Sequence, residues 1–432
     1  MEPLGGNART DRRGSGHEWS STAANRPSES TVFDDGTGGH TGSGHPGSGR
    51  GSSEAPGGGH RTDEETGSVG GHPGGRDYSQ SPLVVTWELT QACDLACDHC
   101  RAEADPDRHE DELSTAEAVD LFEQVAEFTP QPFLVLSGGD PLKRPDLFEL
   151  LEAAVDVGVT PSITPATTPL LDRETVERFA EIGVGRMALS LDGATPERHD
   201  GFRGEPGTFD AAMRAAEWAA ELGLAIQINS TVTASTVEDL PEIANLVDDL
   251  GAAMWEVFFL VPIGRGDALE QLSPARAREV MEWLYRRGRD APYRVITVEA
   301  PFYRRVAQEV QREHGEVPRH VGSTGAGNGF VFVSHTGEVY PSGFLPLSAG
   351  NVRDSPLPEI YRNADLMNRL RDRDAFDGPC GDCPYTSMCG GSRSRAHATT
   401  GDPTGSDPLC PWVTSDGPGL RSDGGGDRTP RP

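Results

Sequence analysis

Leu83-Val-Val-Thr-Trp-Glu-Leu-Thr-Gln-Ala-Cys93-Asp-Leu-Ala-Cys97-Asp-His-Cys100 runs from an apolar, strand-like stretch directly into three closely spaced cysteines. Thiolates on one loop leaving a β-strand can hold three irons of a cubane [4Fe–4S] cluster, and the fourth iron is then open to another ligand. A three-cysteine zinc site and a chance group of buried cysteines are the alternatives, although zinc sites more often pair a CxxC with a distant second pair.

Downstream, strands alternate with helices. Strands are expected at Leu83–Glu88, Phe133–Ser137, Thr160–Thr164, Met187–Ser190, Leu224–Val232 and Met254–Leu260. The helices between them are expected from Ser114 to Phe128, Asp146 to Val157, Asp172 to Ile182, Phe209 to Leu222 and Thr236 to Leu250. Ser114 with Glu117 three residues on reads as a capping box. A last helix from Pro274 to Arg287 is expected to stop at Gly288. Six successive β-α units imply a parallel sheet with right-handed crossovers, an α/β fold of the open (β/α)6 kind. In such sheets chemistry gathers at the C-terminal ends of the strands, where the cysteine loop lies. Tyr293 to His320 reads as a connecting strand and helix. Phe330–Ser334, the turn His335-Thr-Gly337 and Glu338–Tyr340 then form a hairpin, followed by short helices at Leu357–Asn363 and Asp365–Arg371.

The 432-residue chain has a formal net charge of −30, which argues against nucleic acid as a partner. Lys143 is its one lysine. An acidic composition with almost no lysine fits a cytoplasm rich in salt, where charge is screened; GC-rich coding would leave the same arginine bias. There is no apolar run of membrane-spanning length and no signal-peptide core, so a cytoplasmic protein is expected. Residues 1–80 are Gly/Ser/His-rich and are expected to be a disordered tail whose His40, His45, His60 and His72 lack ligand spacing. Residues 81–292 are expected to form the barrel, 293–415 a linker and a small α+β domain, and 416–432 a second disordered tail.

The seven cysteines divide into Cys93, Cys97 and Cys100, and Cys380, Cys383, Cys389 and Cys410. Such grouping suits metal ligation in a reducing compartment better than disulfides. The second group can close the coordination of a cluster or of a zinc ion. Past the second strand lies Ser137-Gly-Gly-Asp-Pro141, whose glycines permit close backbone approach to a ligand or a simple turn. Ser190-Leu-Asp192-Gly193 ends the fourth strand, with a hydroxyl and a carboxylate suited to sugar hydroxyls.

The CxxxCxxC spacing, the Gly138-Gly139-Asp140 turn and the Ser190–Asp192 stretch resemble the radical S-adenosylmethionine (SAM) superfamily. The resemblance implies a SAM-binding [4Fe–4S] cluster on Cys93, Cys97 and Cys100. It also implies that Gly138, Gly139 and Asp140 hold the amino group of SAM, with aspartate replacing the commoner glutamate. Ser190 and Asp192 would contact ribose, Arg203 the SAM carboxylate, Asn229 the same pocket, and His99 would pack near adenine. Pro262-Ile-Gly264-Arg265-Gly266 is similar to a loop that closes over adenine. The second cysteine group resembles a C-terminal SPASM/Twitch-type extension, which implies one auxiliary [4Fe–4S] cluster, because Ser342 stands where some relatives place a further cysteine.

Trp87–Cys93, His99–Ala104, Gly337–Phe344 and Cys389–Arg395 most resemble the branch of alternative heme and heme d1 biosynthesis. That branch implies cleavage of SAM to a 5′-deoxyadenosyl radical, hydrogen abstraction from a propionate of Fe-coproporphyrin III, and decarboxylation. The partners implied are a small molecule, a tetrapyrrole, and a low-potential electron donor such as ferredoxin; neither nucleic acid nor membrane is expected. Arg265, Arg304 and Arg393 are candidates for the substrate carboxylates. The rival readings are a peptide-modifying radical SAM/SPASM maturase, a molybdenum cofactor cyclase, disfavoured by the Arg431-Pro432 end, and a non-catalytic Fe–S electron carrier.

Overall fold

The computed structural model describes residues 76–317 and 324–413. The expectations for the tail histidines and for residues 416–432 lie outside the described residues. Order begins before residue 81: Arg76 donates to Pro82 O (2.5 Å) and Gln131 O (3.0 Å), and Tyr361 Oη donates to Tyr78 O at 2.5 Å.

Strands β1 (Val84–Glu88), β2 (Phe133–Ser137), β3 (Pro161–Ile163), β4 (Arg186–Ser190), β5 (Ile226–Val232) and β6 (Met254–Phe259) pair in this order, all in parallel. Alternation along each strand decides its two faces. Val85, Trp87, Leu134, Leu136, Met187, Leu189, Ile226 and Ile228 enter the main core. The residues between them, including Thr86, Val135, Ser190, Gln227, Asn229 and Glu256, take the opposite face and are half-buried. The connecting helices are α1 (Thr115–Ala126), α2 (Leu147–Asp156), α3 (Arg173–Ile182), α4 (Pro196–Arg203), α5 (Thr208–Leu222), α6 (Leu240–Asp249) and α7 (Pro274–Asp290). The Ser114–Glu117 capping box is present, and Asp172 accepts from Thr175 N–H to cap α3.

Three features depart from the sequence reading. Helix α4 was not expected. Gly288 does not end α7, which continues to Asp290; a Cβ there would lie 3.2 Å from the Val295 side chain, so the glycine admits a neighbouring strand. That strand, β7 (Arg294–Val298), pairs in parallel with β6 and extends the sheet beyond the boundary expected at 292.

After α8 (Tyr303–Glu313), the two-residue strand β8 (Gly325–Ala326) precedes β9 (Gly329–Val333), which pairs in parallel with β1. Then β10 (Glu338–Tyr340) pairs antiparallel with β9, and β11 (Gly350–Asn351) with β10. The C-terminal hairpin thus continues the sheet. Helices α9 (Leu357–Asn363), α10 (Asp365–Arg371), α11 (Gly378–Gly381) and α12 (Arg393–Thr400) complete the described chain. Among the described residues no helix is long and apolar enough to cross a membrane.

Candidate active site

The loop leaving β1 is closed on itself and braced from below. Cys93 N–H donates to Asp105 O at 2.8 Å, and the Cys93 and Cys97 side chains are buried while Cys100 is half-buried. Leu95 N–H points at Cys93 Sγ and Ala104 N–H at Cys100 Sγ, each 3.4 Å away. Burial pushes the Cys93 thiol up to about 11 and raises that of Cys97. A thiol in such surroundings becomes a thiolate when a cation takes its proton's place.

The Gly-Gly turn lies against this loop. Gly139 N–H donates to Thr90 O (2.8 Å) and Asp140 N–H to Ala92 O (2.7 Å). A Cβ on Gly139 would sit 2.4 Å from Ala92 O, so the glycine is required for backbone to meet backbone. Asp140 is fully buried: Oδ1 accepts from Leu142 N–H (3.1 Å) and Ala166 N–H (3.3 Å), and Oδ2 from the Thr168 hydroxyl (2.8 Å). Three of its lone-pair positions are therefore spent on the protein, a bracing role that the sequence did not suggest.

The other wall is α4. Phe202 O accepts from Asp98 N–H (3.0 Å), and the Phe202 ring stacks on His99 with centroids 4.8 Å apart. Arg203 is buried rather than on the surface; Nη1 reaches Asp192 Oδ2 at 3.3 Å and His99 Nε2 at 3.4 Å. Burial alone would lower the Arg203 pKa, but the thiolate of Cys97 and the Asp192 carboxylate raise it. Asp192 also accepts from Thr231 N–H at 2.7 Å, and its own N–H donates to Nδ1 of His199 at 3.0 Å. Burial pulls both His99 and His199 down to about 4, so both rings are neutral at physiological pH. His99 Nδ1, His199 Nε2, Arg203 Nε and Arg265 Nη2 are buried with no hydrogen-bond partner among the described residues. Donors left over beside three thiols fit an anionic cluster and its nucleotide.

Ser190 and Asn229 are register partners on β4 and β5, which puts them on one face. Asn229 Oδ1 accepts from Gln227 Nε2 (2.8 Å), which also donates to Glu256 (2.9 Å). Glu256, which sequence reasoning missed, is raised to about 7 by burial. Its only signal was one charge in the apolar run Met254–Phe259.

The three arginines proposed for substrate carboxylates are engaged elsewhere. Arg265 donates to Cys97 O (2.8 Å) and Ala104 O (3.2 Å), holding the cluster loop. Arg393 donates to Pro403 O (3.1 Å) and Gly405 O (2.6 Å), and Arg304 to the Thr324 hydroxyl (2.9 Å).

The second cysteine group gathers where α11, the loop before α12 and the C-terminal loop meet. Gly391 N–H points at Cys389 Sγ (3.4 Å) and Asp407 N–H at Cys380 Sγ (3.5 Å). Burial pushes the Cys389 thiol up to about 12 and raises Cys410 as well. Two links tie this group to the strand ends. Arg395, fully buried, donates to Phe259 O (3.1 Å) and Leu260 O (3.1 Å) and pairs with the equally buried Asp407 at 3.3 Å. Glu299, in left-handed backbone (φ 54°) just past β7, accepts from the hydroxyls of Ser342 (3.1 Å), Ser392 (2.5 Å) and Ser394 (2.8 Å). Ser342 is thereby committed to a carboxylate. Among the described residues no three His, Cys, Asp or Glu side chains close around a single ion; the corner ligands of a cluster stand farther apart than those of one zinc ion.

Comparison with known proteins agrees with this geometry. The Radical SAM superfamily model matches residues 87–247, and the SPASM iron–sulfur cluster-binding domain model matches residues 325–384. The AdoMet-dependent heme synthase of Methanosarcina barkeri is 38% identical over 77% of this chain and 97% of its own length. Pre-heme d1 synthase of Dinoroseobacter shibae is 31% identical over 79% of this chain and 88% of its own. The crystal structure of Streptococcus suis SuiB bound to S-adenosylmethionine shares the fold, with a TM-score of 0.61 at 18% identity over 77% of each chain. The chain belongs to the radical SAM superfamily, in the branch that holds the AdoMet-dependent heme synthases, and is an enzyme that works with SAM and two iron–sulfur clusters.

Proposed function

We propose that this enzyme makes heme by oxidative decarboxylation of propionate side chains of Fe-coproporphyrin III. The observation that carries this reading is the near full-length similarity to a protein named heme synthase. The inner face of the sheet supports it. Phe258 and Phe344 pack with centroids 6.2 Å apart, Phe332 stacks on Tyr340 at 6.1 Å, and the Arg101 guanidinium lies 4.4 Å from the Phe332 ring. Aromatic faces suit a flat macrocycle, and the Arg101 guanidinium among them is paired with the buried Glu88 at 2.8 Å.

Cys93, Cys97 and Cys100 would hold the SAM cluster, and Cys380, Cys383, Cys389 and Cys410 the auxiliary one. When bound, the cofactors supply one-electron cleavage of SAM and a hydrogen-abstracting 5′-deoxyadenosyl radical. The chain's own residues orient and seclude the reacting groups. The carbonyls around Gly138 and Gly139 receive the ammonium of SAM, Arg203 faces its carboxylate, and Ser190, Asp192 and Asn229 line the ribose side. His99, stacked on Phe202, forms the wall beside adenine. We also assign a cytoplasmic, high-salt setting and a ferredoxin-type donor.

Anaerobic reconstitution with a reductant, SAM and Fe-coproporphyrin III tests the assignment by chromatography of nucleoside and porphyrin products. Deoxyadenosine together with vinyl-bearing porphyrin is expected. Deoxyadenosine with the porphyrin returned unchanged would overturn the heme reading and leave the radical chemistry standing.

A further inference from the structure

Two arginines meet the turn that follows Cys389, and a third, Arg304, lies in the field of Cys389. Gly390 and Gly391 both lie in left-handed backbone, at φ 72° and 68°. A Cβ on Gly390 would fall 2.3 Å from Arg373 Nη1, and one on Gly391 would fall 2.6 Å from Arg393 Nη2 and 3.2 Å from Cys380 Sγ. Two guanidiniums therefore rest on the backbone beside the auxiliary thiols, in space that side chains would fill. Arg393 is buried, its Nε and Nη1 donate to carbonyls, and its Nη2 has no hydrogen-bond partner among the described residues. Arg304, at the start of α8, is hydrogen-bonded to Thr324 and feels the Cys389 thiolate. Phe376 holds Arg373 and Arg393 over one ring, at 5.0 Å and 4.4 Å from its centroid. Burial and the neighbouring Arg393 push Arg373 down to about 10. Asp407 pairs with Arg395 at 3.3 Å, and Asp402, partnered by Arg369, also lies in the field of Arg393.

Positive charge held in partly buried surroundings favours an anion beside it. A cluster held by four thiolates is such an anion, and one-electron reduction adds another negative charge with no bond made or broken. Cations fixed beside it favour the reduced form. We propose that Arg304, Arg373 and Arg393 are positioning residues that raise the reduction potential of the auxiliary cluster, fitting it to accept an electron. The inference rests on the second cysteine group holding an iron–sulfur cluster.

The test is a potentiometric titration of the full chain carrying both clusters, followed by electron paramagnetic resonance. The signal that responds to added SAM is assigned to the three-cysteine cluster. Arg393→Gln is expected to shift the other signal to lower potential by at least tenfold in the reduction equilibrium, about 59 mV for one electron. Arg393→Lys is expected to keep most of the wild-type value. An unmoved midpoint in Arg393→Gln with iron content intact would overturn the proposal. If that variant loses its auxiliary iron, Arg304→Gln decides instead: a lowered midpoint supports the proposal and an unchanged one sinks it. A wild-type chain with only one reducible species, and zinc in the second site, would instead refute the two-cluster reading.

Discussion

His199 shows how one side chain acts on a site through another. Its Nδ1 accepts the Asp192 N–H, which holds the carboxylate where Arg203 and Thr231 N–H also reach it. Burial keeps the folded ring near 4, against about 6.5 for an exposed histidine. The unfolded chain therefore binds a proton that the folded chain refuses. The ring's contribution to stability is complete above pH 6.5 and is lost as pH falls toward 4. Melting temperatures of the iron-free protein are expected to fall between pH 6.5 and 4, with a shallower fall in His199→Asn. An equal slope in the variant would remove this account. The sequence singled out Asp192 and Arg203 as candidates. The histidine between them was not legible, because its role depends on a backbone N–H seven positions away that only α4 brings back.

At the scale of elements, the βα units were readable because each strand and helix declares its period locally. The β2 and α9 bounds match those read from sequence. Helix α4 escaped because Pro196-Glu-Arg-His-Asp-Gly-Phe-Arg203 has a glycine inside and little apolar face. Packing on the cluster loop supports it, and Asp200 in turn accepts from Gly207 N–H (2.6 Å) and Phe209 N–H (2.8 Å) to start α5. The Gly-Gly turn, read as a place of close approach to a ligand, is also where backbone meets backbone, Gly139 lying against Ala92. Gly139→Ala is expected to cost about 1–3 kcal/mol, since its methyl would press into Ala92 O. The urea midpoint of the iron-free chain measures it, and an unshifted midpoint would show that the loop yields freely.

Across the whole molecule, the auxiliary region is fastened to the strand ends by a pair with no exposure at all. Arg395 caps the carbonyls of Phe259 and Leu260 while Asp407 receives Ser392 N–H (2.8 Å) and Leu409 N–H (3.1 Å). Removing one partner leaves a buried charge alone. Arg395→Met is expected to destabilise the chain by about 3–5 kcal/mol and to release the auxiliary iron first. Adding Asp407→Leu is expected to restore part of that stability. Melting curves and iron assays of the two variants decide it: a single variant that melts like wild type would show that the pair does not fasten the region.

The sequence alone determined the chemistry available and the order of the parallel strands. Thiol spacing, strand alternation and helix caps are local properties, written within a few residues of one another. Only the tertiary structure decided that the hairpin joins β1, and that Arg265 and Arg393 hold backbone carbonyls while Arg304 holds Thr324. An arginine carries the same charge and reach wherever it stands. Its role is set by which distant atoms the fold places around it, and burial then makes that choice costly to undo.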